Sequence, residues 1–180
     1  MFRRRHEEQQ QQEQQAMFAG PHRYQMREKL LSIGDDFWIE TDRGQRAFKV
    51  DGKVLRVRNT LNLEDAQGHV VAQVQERMLR ARDSMAIERD GQKIAEVHKA
   101  LVNVVRDRFK IDMAGRGPDM EAKGNILDHE YEITQDGRRV AEVSKKWFRV
   151  RDTYGVDIEP GQDDALILMV TVCIDQMAGR

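Results

Sequence analysis

The residues able to do chemistry are scattered along this chain. His6, His22, His69, His98 and His129 show neither the His-x-x-x-His nor the His-Glu-x-x-His spacing that sets two imidazoles on one helix face around a metal. Surface or hydrogen-bonded roles are therefore expected for them, and no metal site is assigned. Cys173 lies inside an uncharged apolar run. A nucleophilic thiol needs partial exposure and a neighbouring base, so Cys173 is expected to act as a small buried hydrophobe. Gly115-Arg-Gly117-Pro118 is glycine-rich but lacks the lysine of a phosphate-binding loop, and it reads as a connection. Asp107, Asp112, Asp152 and Asp157 form two similarly spaced pairs. Carboxylate pairs can serve acid–base chemistry or calcium, but here they belong to a repeat described below and are expected to cap strands and form ion pairs.

The basic residues are the most suggestive group. Arg138, Arg139, Lys145, Lys146, Arg149 and Arg151 fall in one predicted hairpin region, and Arg77, Arg80 and Arg82 fall in another. Trp147 and Phe148 interleave with the first group, a mixture suited to the interface of an anionic membrane. Glu76, Asp83, Glu142 and Asp152 lie among these cations. The alternative is an ordinary solvated face with ion pairs.

Composition narrows the setting. With 30 basic and 31 acidic residues in 180, net charge is -1. A nucleic-acid binder draws its affinity from a basic excess, so no nucleic-acid partner is expected. One cysteine cannot form an internal disulfide, and a reducing compartment follows as the expectation. The N-terminal arginines are followed by no apolar segment, so a secretory signal is not expected, and neither is a transmembrane helix. Residues 7–15 are glutamine and glutamate alone, and residues 1–22 read as a disordered tail ahead of a single domain over 23–180.

The elements that must position these side chains are mostly strands. Asp51-Gly52, Asp90-Gly91 and Asp136-Gly137 are each flanked by β-type residues, which is the signature of a type I′ hairpin turn. Arg43-Gly44 and Gln67-Gly68 are weaker versions. A repeated pattern follows the glycines: Gly44-Gln-Arg-Ala-Phe-Lys-Val50, Gly68-His-Val-Val-Ala-Gln-Val74, Gly91-Gln-Lys-Ile-Ala-Glu-Val97 and Gly137-Arg-Arg-Val-Ala-Glu-Val143, with a shorter copy after Gly52. Period-two alternation puts Ala95 and Val97, or Ala141 and Val143, on a dry face and Glu96 or Glu142 on a wet one. Inward alanines imply that something approaches the inner wall closely. A longer echo relates 91–113 to 137–158, and the turn spacing predicts about twelve strands. After Pro160-Gly161, Asp163 and Asp164 offer an N-cap to the apolar run Ala165–Ile174. This run is expected to be a helix, apolar on all sides and thus enclosed by the sheet.

Read together, Lys123-Gly124-Asn-Ile126, Val140-Ala-Glu-Val-Ser-Lys-Lys-Trp-Phe148, Asp152-Thr-Tyr-Gly-Val-Asp-Ile158, Ser32-Ile-Gly-Asp-Asp-Phe37 and the Asp-capped helix resemble the LURP-one-related family of the tubby C-terminal-like superfamily, which also includes phospholipid scramblases. The resemblance spans Tyr24 to Met177. It implies a mainly β protein: a closed antiparallel barrel of about twelve strands around a buried C-terminal helix. It implies little about activity, because most members have no assigned biochemical function; the residues themselves show no catalytic constellation, no cofactor is expected, and tubby relatives bind phosphoinositides through basic side chains at positions with no matching motif here. The expectation is a non-catalytic tubby-like module, cytoplasmic or peripheral at a membrane, engaging anionic phospholipid, with Arg138, Arg139, Lys145, Lys146, Arg149 and Arg151 as candidate contacts. The alternative is a soluble adaptor that binds another protein.

Overall fold

The computed structural model describes residues 23–27, 36–51, 60–79, 82–100, 108–115 and 117–178, with side chains omitted at 75–79, 82 and 83. The tail, the Asp51-Gly52 turn, most of Ser32–Phe37, and Asp107, Arg77, Arg80 and Arg82 as side chains lie outside this description.

Among the described residues, twelve strands form one closed antiparallel barrel. They are β1 (Arg23–Arg27), β2 (Phe37–Thr41), β3 (Arg46–Asp51), β4 (Thr60–Asp65), β5 (Val70–Leu79), β6 (Arg82–Arg89), β7 (Gln92–Lys99), β8 (Arg108–Met113), β9 (Met120–Asn125), β10 (Glu130–Gln135), β11 (Arg138–Ser144) and β12 (Thr153–Ile158). Each pairs with its neighbour in sequence, and β1 pairs with β12 to close the wall. The helix α1 (Asp164–Ala178) follows.

The repeat read from sequence has a definite structural meaning. In four hairpins the register slips by one residue, and the extra residue is Ala47, Val71, Ile94 or Val140. Each stands three positions after the repeat glycine. A bulge bends its strand and sharpens the local twist, which a small closed barrel requires at its corners. The bulge also places two consecutive side chains inward, as at Ile94 and Ala95 and at Val140 and Ala141, all of them buried. Asp90 and Gly91 both have positive φ (52° and 73°), as do Asp136 and Gly137 (49° and 71°), the type I′ geometry that Asp-Gly predicts.

The helix fills the barrel. Leu166 through Ile174 are buried without interruption, and the inward alanines Ala72, Ala95, Ala122 and Ala141 are at most 1% exposed. The small wall side chains leave room for α1, and the apolar helix gives the wall its dry surface. Burying nine successive residues removes apolar area worth roughly 1.5–3 kcal/mol for each large aliphatic side chain.

Polar groups lock the helix entrance. Asp163 caps α1, its Oδ1 accepting from Leu166 N at 3.1 Å. The same carboxylate takes a two-pronged bond from Arg89 at 2.7 and 3.1 Å. Asp164 Oδ2 accepts from Tyr24 Oη at 2.6 Å. Burial, and then the Asp164 bond and charge, hold the Tyr24 phenol well above its ordinary range, so it remains a donor. Both carboxylates also sit at the positive end of the helix dipole.

Two outcomes follow. Replacing Leu168→Ala, at a fully buried site in mid-helix, lowers stability by about 2–5 kcal/mol in urea unfolding. Cys173 is buried, and burial raises its thiol well above the ordinary range. In the native protein at neutral pH it should therefore react with a thiol reagent at least roughly a hundredfold more slowly than in the unfolded chain. Equal rates would mean that α1 is not enclosed.

Candidate functional site

The barrel has two unlike ends. At the hairpin end lie the turns 42–45, 66–69, 90–91 and 136–137 and the start of α1. At the other, the exit end, lie the β9–β10 turn, the β11–β12 connection and the end of α1.

This geometry separates the six candidate cations. Arg138 and Arg139 open β11 at the hairpin end, while Lys145 and Lys146 follow its last residue, about 23 Å away along the strand. Arg139 is also engaged, with Glu142 at 2.8 Å and Glu159 at 3.1 Å. Lys145, Lys146, Arg149 and Arg151 share the exit end, and the last three are exposed.

The β11–β12 connection is a built structure. A single 3-10 turn, Lys145–Trp147, is capped by Ser144, whose hydroxyl accepts from Lys146 N at 3.1 Å and donates to Glu130 at 3.0 Å. Glu130 also accepts from Lys145 N at 3.1 Å and lies 3.5 Å from Lys146 Nζ. One carboxylate at the start of β10 therefore ties the connection to the β9–β10 turn. Trp147 and Phe148 then fold back over the outer wall at Gly155. A Cβ at 155 would lie 2.7 Å from Trp147 Cε3 and 2.8 Å from Phe148 Cε2. The Arg23 guanidinium covers Trp147 at 4.6 Å from the ring centroid while pairing with Asp157 at 2.9 Å. The two aromatics are thus packed on the barrel, in place of the free interfacial side chains the sequence suggested. Among the described residues, the exposed large apolar side chains at this end are Val150 (59%), between Arg149 and Arg151, and Leu127 (65%), on the β9–β10 turn.

Beneath this surface sits a buried polar cluster. Asp175, near the end of α1, accepts from Tyr154 Oη, and its Oδ1 lies 3.3 Å from His129 Nε2. The His129 and Asp175 side chains are only 13% and 9% exposed. The imidazole stacks on Tyr154 with ring centroids 4.2 Å apart. Tyr131 is fully enclosed; burial, and then the Asp175 charge, keep its phenol well above the ordinary range. Gly124 closes the hairpin that carries His129: a Cβ there would come within 2.6 Å of Glu130 O and 2.7 Å of Tyr131 Cα. This accounts for the glycine of the Lys123-Gly124-Asn-Ile126 motif.

Other polar residues take up positions around the wall. On the outer face Asp112 lies 3.7 Å from His98 Nδ1, and Asp157 forms an ion pair with Arg23. His69 pairs with Asp65 at 3.0 Å. Sequence reasoning missed Asp175, Tyr154 and Glu130. The signals available were an acidic residue at the unfavourable end of a helix dipole and a glutamate opening a strand.

Gly155→Ala tests the packed connection. It should cost about 1–3 kcal/mol by overpacking and displace Trp147, read as a red-shifted emission in a Trp38→Phe background; unchanged emission and stability would show that the rings do not rest on the wall.

Comparison with known proteins agrees with this architecture. A protein of Arabidopsis thaliana known from an X-ray structure superposes with a TM-score of 0.65 over 89% of this chain and 93% of its own, at 19% identity. The uncharacterized protein YxjI of Bacillus subtilis (strain 168) is 26% identical over 153 residues, covering 84% of this chain and 91% of the relative. The family model for LURP-one-related proteins matches residues 22–175. With its twelve-strand barrel, central helix and near-complete match, the chain belongs to the LURP-one-related family.

Proposed function

We propose that this protein is a non-catalytic barrel module that docks its exit end onto an anionic phospholipid surface. The observation that carries the reading is the stretch Lys145–Arg151. Four cations fall within seven residues, three of them exposed, around an exposed Val150 and beside the exposed Leu127 of the neighbouring turn. Cations attract the leaflet at roughly 1 kcal/mol each near the surface. Small apolar side chains at the tip of the same structure then enter the interface.

The packing of Trp147 and Phe148 supports the reading in a different way from that expected of free aromatics. Holding the connection against the wall fixes its cations in one place, so less conformational entropy is lost on docking. Arg138 and Arg139 do not belong to the proposed surface, because they stand at the opposite end of β11. A barrel closed all round offers no free sheet edge among the described residues, so strand addition by a peptide is not the favoured mode.

Co-sedimentation with vesicles tests the proposal. The triple change Lys146→Glu, Arg149→Glu, Arg151→Glu should lower partitioning to anionic vesicles on the order of a hundredfold. Arg138→Glu should leave it within about twofold. Binding should be absent from neutral vesicles and weaken as salt is added. Failure to bind anionic vesicles at low salt would overturn the proposal and leave the exit end as a protein-binding surface.

A further inference from the structure

The helix α1 carries two charged residues in fifteen, Asp164 and Asp175. Asp164 sits where the helix dipole favours a carboxylate. Asp175 sits where the dipole opposes one, and it is nearly buried. A carboxyl group placed against both burial and dipole has to be held by its partners.

Those partners belong to two separate surface connections. His129 closes the β9–β10 turn that displays Leu127. Tyr154 precedes Gly155, the seat of Trp147 and Phe148. His129 also has a left-handed backbone, φ 52°, a conformation that residues other than glycine rarely adopt. Its ring is held on one face by the Tyr154 stack and at Nε2 by Asp175. The turn is therefore kept in its conformation by contacts with β12 and the helix, across 46 positions of sequence in the case of Asp175.

We propose that Asp175 is a latch: the last turn of α1 holds the β9–β10 turn and the β11–β12 connection together in one arrangement, and release of the helix end loosens both. Resting on the docking reading above, this makes the seating of the helix terminus a control on the surface that meets lipid. Among the described residues, the groups that face Asp175 are Tyr154 from β12, His129 from the turn and Tyr131 from β10. Asp175 is a positioning residue in this scheme and touches no ligand.

Hydrogen exchange on the full chain tests the latch. Tyr154→Phe keeps the ring stack and removes the hydroxyl that bonds to Asp175. Its exchange should rise about tenfold both at 126–129 and at 145–154. Asp175→Asn should do the same, and so should His129→Asn, which retains a residue type tolerant of the left-handed backbone. Tyr24→Phe, at the opposite end of α1, should leave both segments unchanged. A rise confined to β12 in Tyr154→Phe, or one spread evenly over the barrel, would overturn the latch, and Tyr154→Phe alone suffices should the other variants fail to fold. The same variants in the vesicle assay separate the two ideas. Loosening of both segments together with at least fivefold weaker partitioning supports control of docking. Loosening with unchanged partitioning refutes the control of lipid docking while leaving the mechanical coupling intact.

Discussion

An apolar helix enclosed by a closed sheet is the constraint from which the rest of this structure follows. Such a helix has no wet face, so every strand must offer it a dry one, and the wall must be small enough at the points of closest approach. Ala72, Ala95, Ala122 and Ala141 meet the second demand. The bulges at Ala47, Val71, Ile94 and Val140 help the wall to curve. A hydrophobic rod in a hydrophobic sleeve has no preferred axial position from burial alone, because the effect is non-directional. Position comes from the ends. Tyr24 and Arg89 hold the carboxylates at the entrance, and Tyr154 and His129 hold Asp175 at the exit. These charged and hydrogen-bonded contacts are few, but they are directional, and they tell the helix where to stop.

The two ends of the barrel differ in consequence. At the hairpin end, tight turns and the capped helix start leave little that could vary. At the exit end, a helix terminus, a strained turn and a folded-back connection meet around Glu130 and Asp175. Polar satisfaction there depends on groups drawn from β10, β12, the turn and the helix at once, so these elements must be in place together. Exposed apolar side chains and exposed cations gather at the same end, which gives the protein a polarity along its barrel axis.

Much of the architecture was legible in the sequence because it is encoded locally. Asp-Gly pairs set turns, period-two alternation set faces, and an aspartate ahead of an uncharged run set the helix. Even the bulges were written in the repeat, three positions after each glycine, although alternation alone reads Ile94 and Val140 as outward residues. The site was less legible for a specific reason. Proximity in sequence suggested that Arg138, Arg139, Lys145 and Lys146 share a surface, but a strand of seven residues carries its two ends to opposite poles of the barrel. Trp147 and Phe148 looked free because nothing near them in sequence announces that Gly155 will present a bare wall. The His129–Asp175 contact joins residues whose types are unremarkable alone, and only the closed topology brings them together.

The central claim is that the exit end is the surface that meets the membrane. It is tested most directly by placing single cysteines at Leu127, Val150 and Asp136 and labelling each with an environment-sensitive fluorophore, since the buried Cys173 leaves the label specific. On addition of anionic vesicles, the probes at 127 and 150 should shift to the blue, and the probe at 136, on a hairpin-end turn, should not move. A shift at 136 equal to or larger than those at 127 and 150, or no shift at any position, would contradict the account.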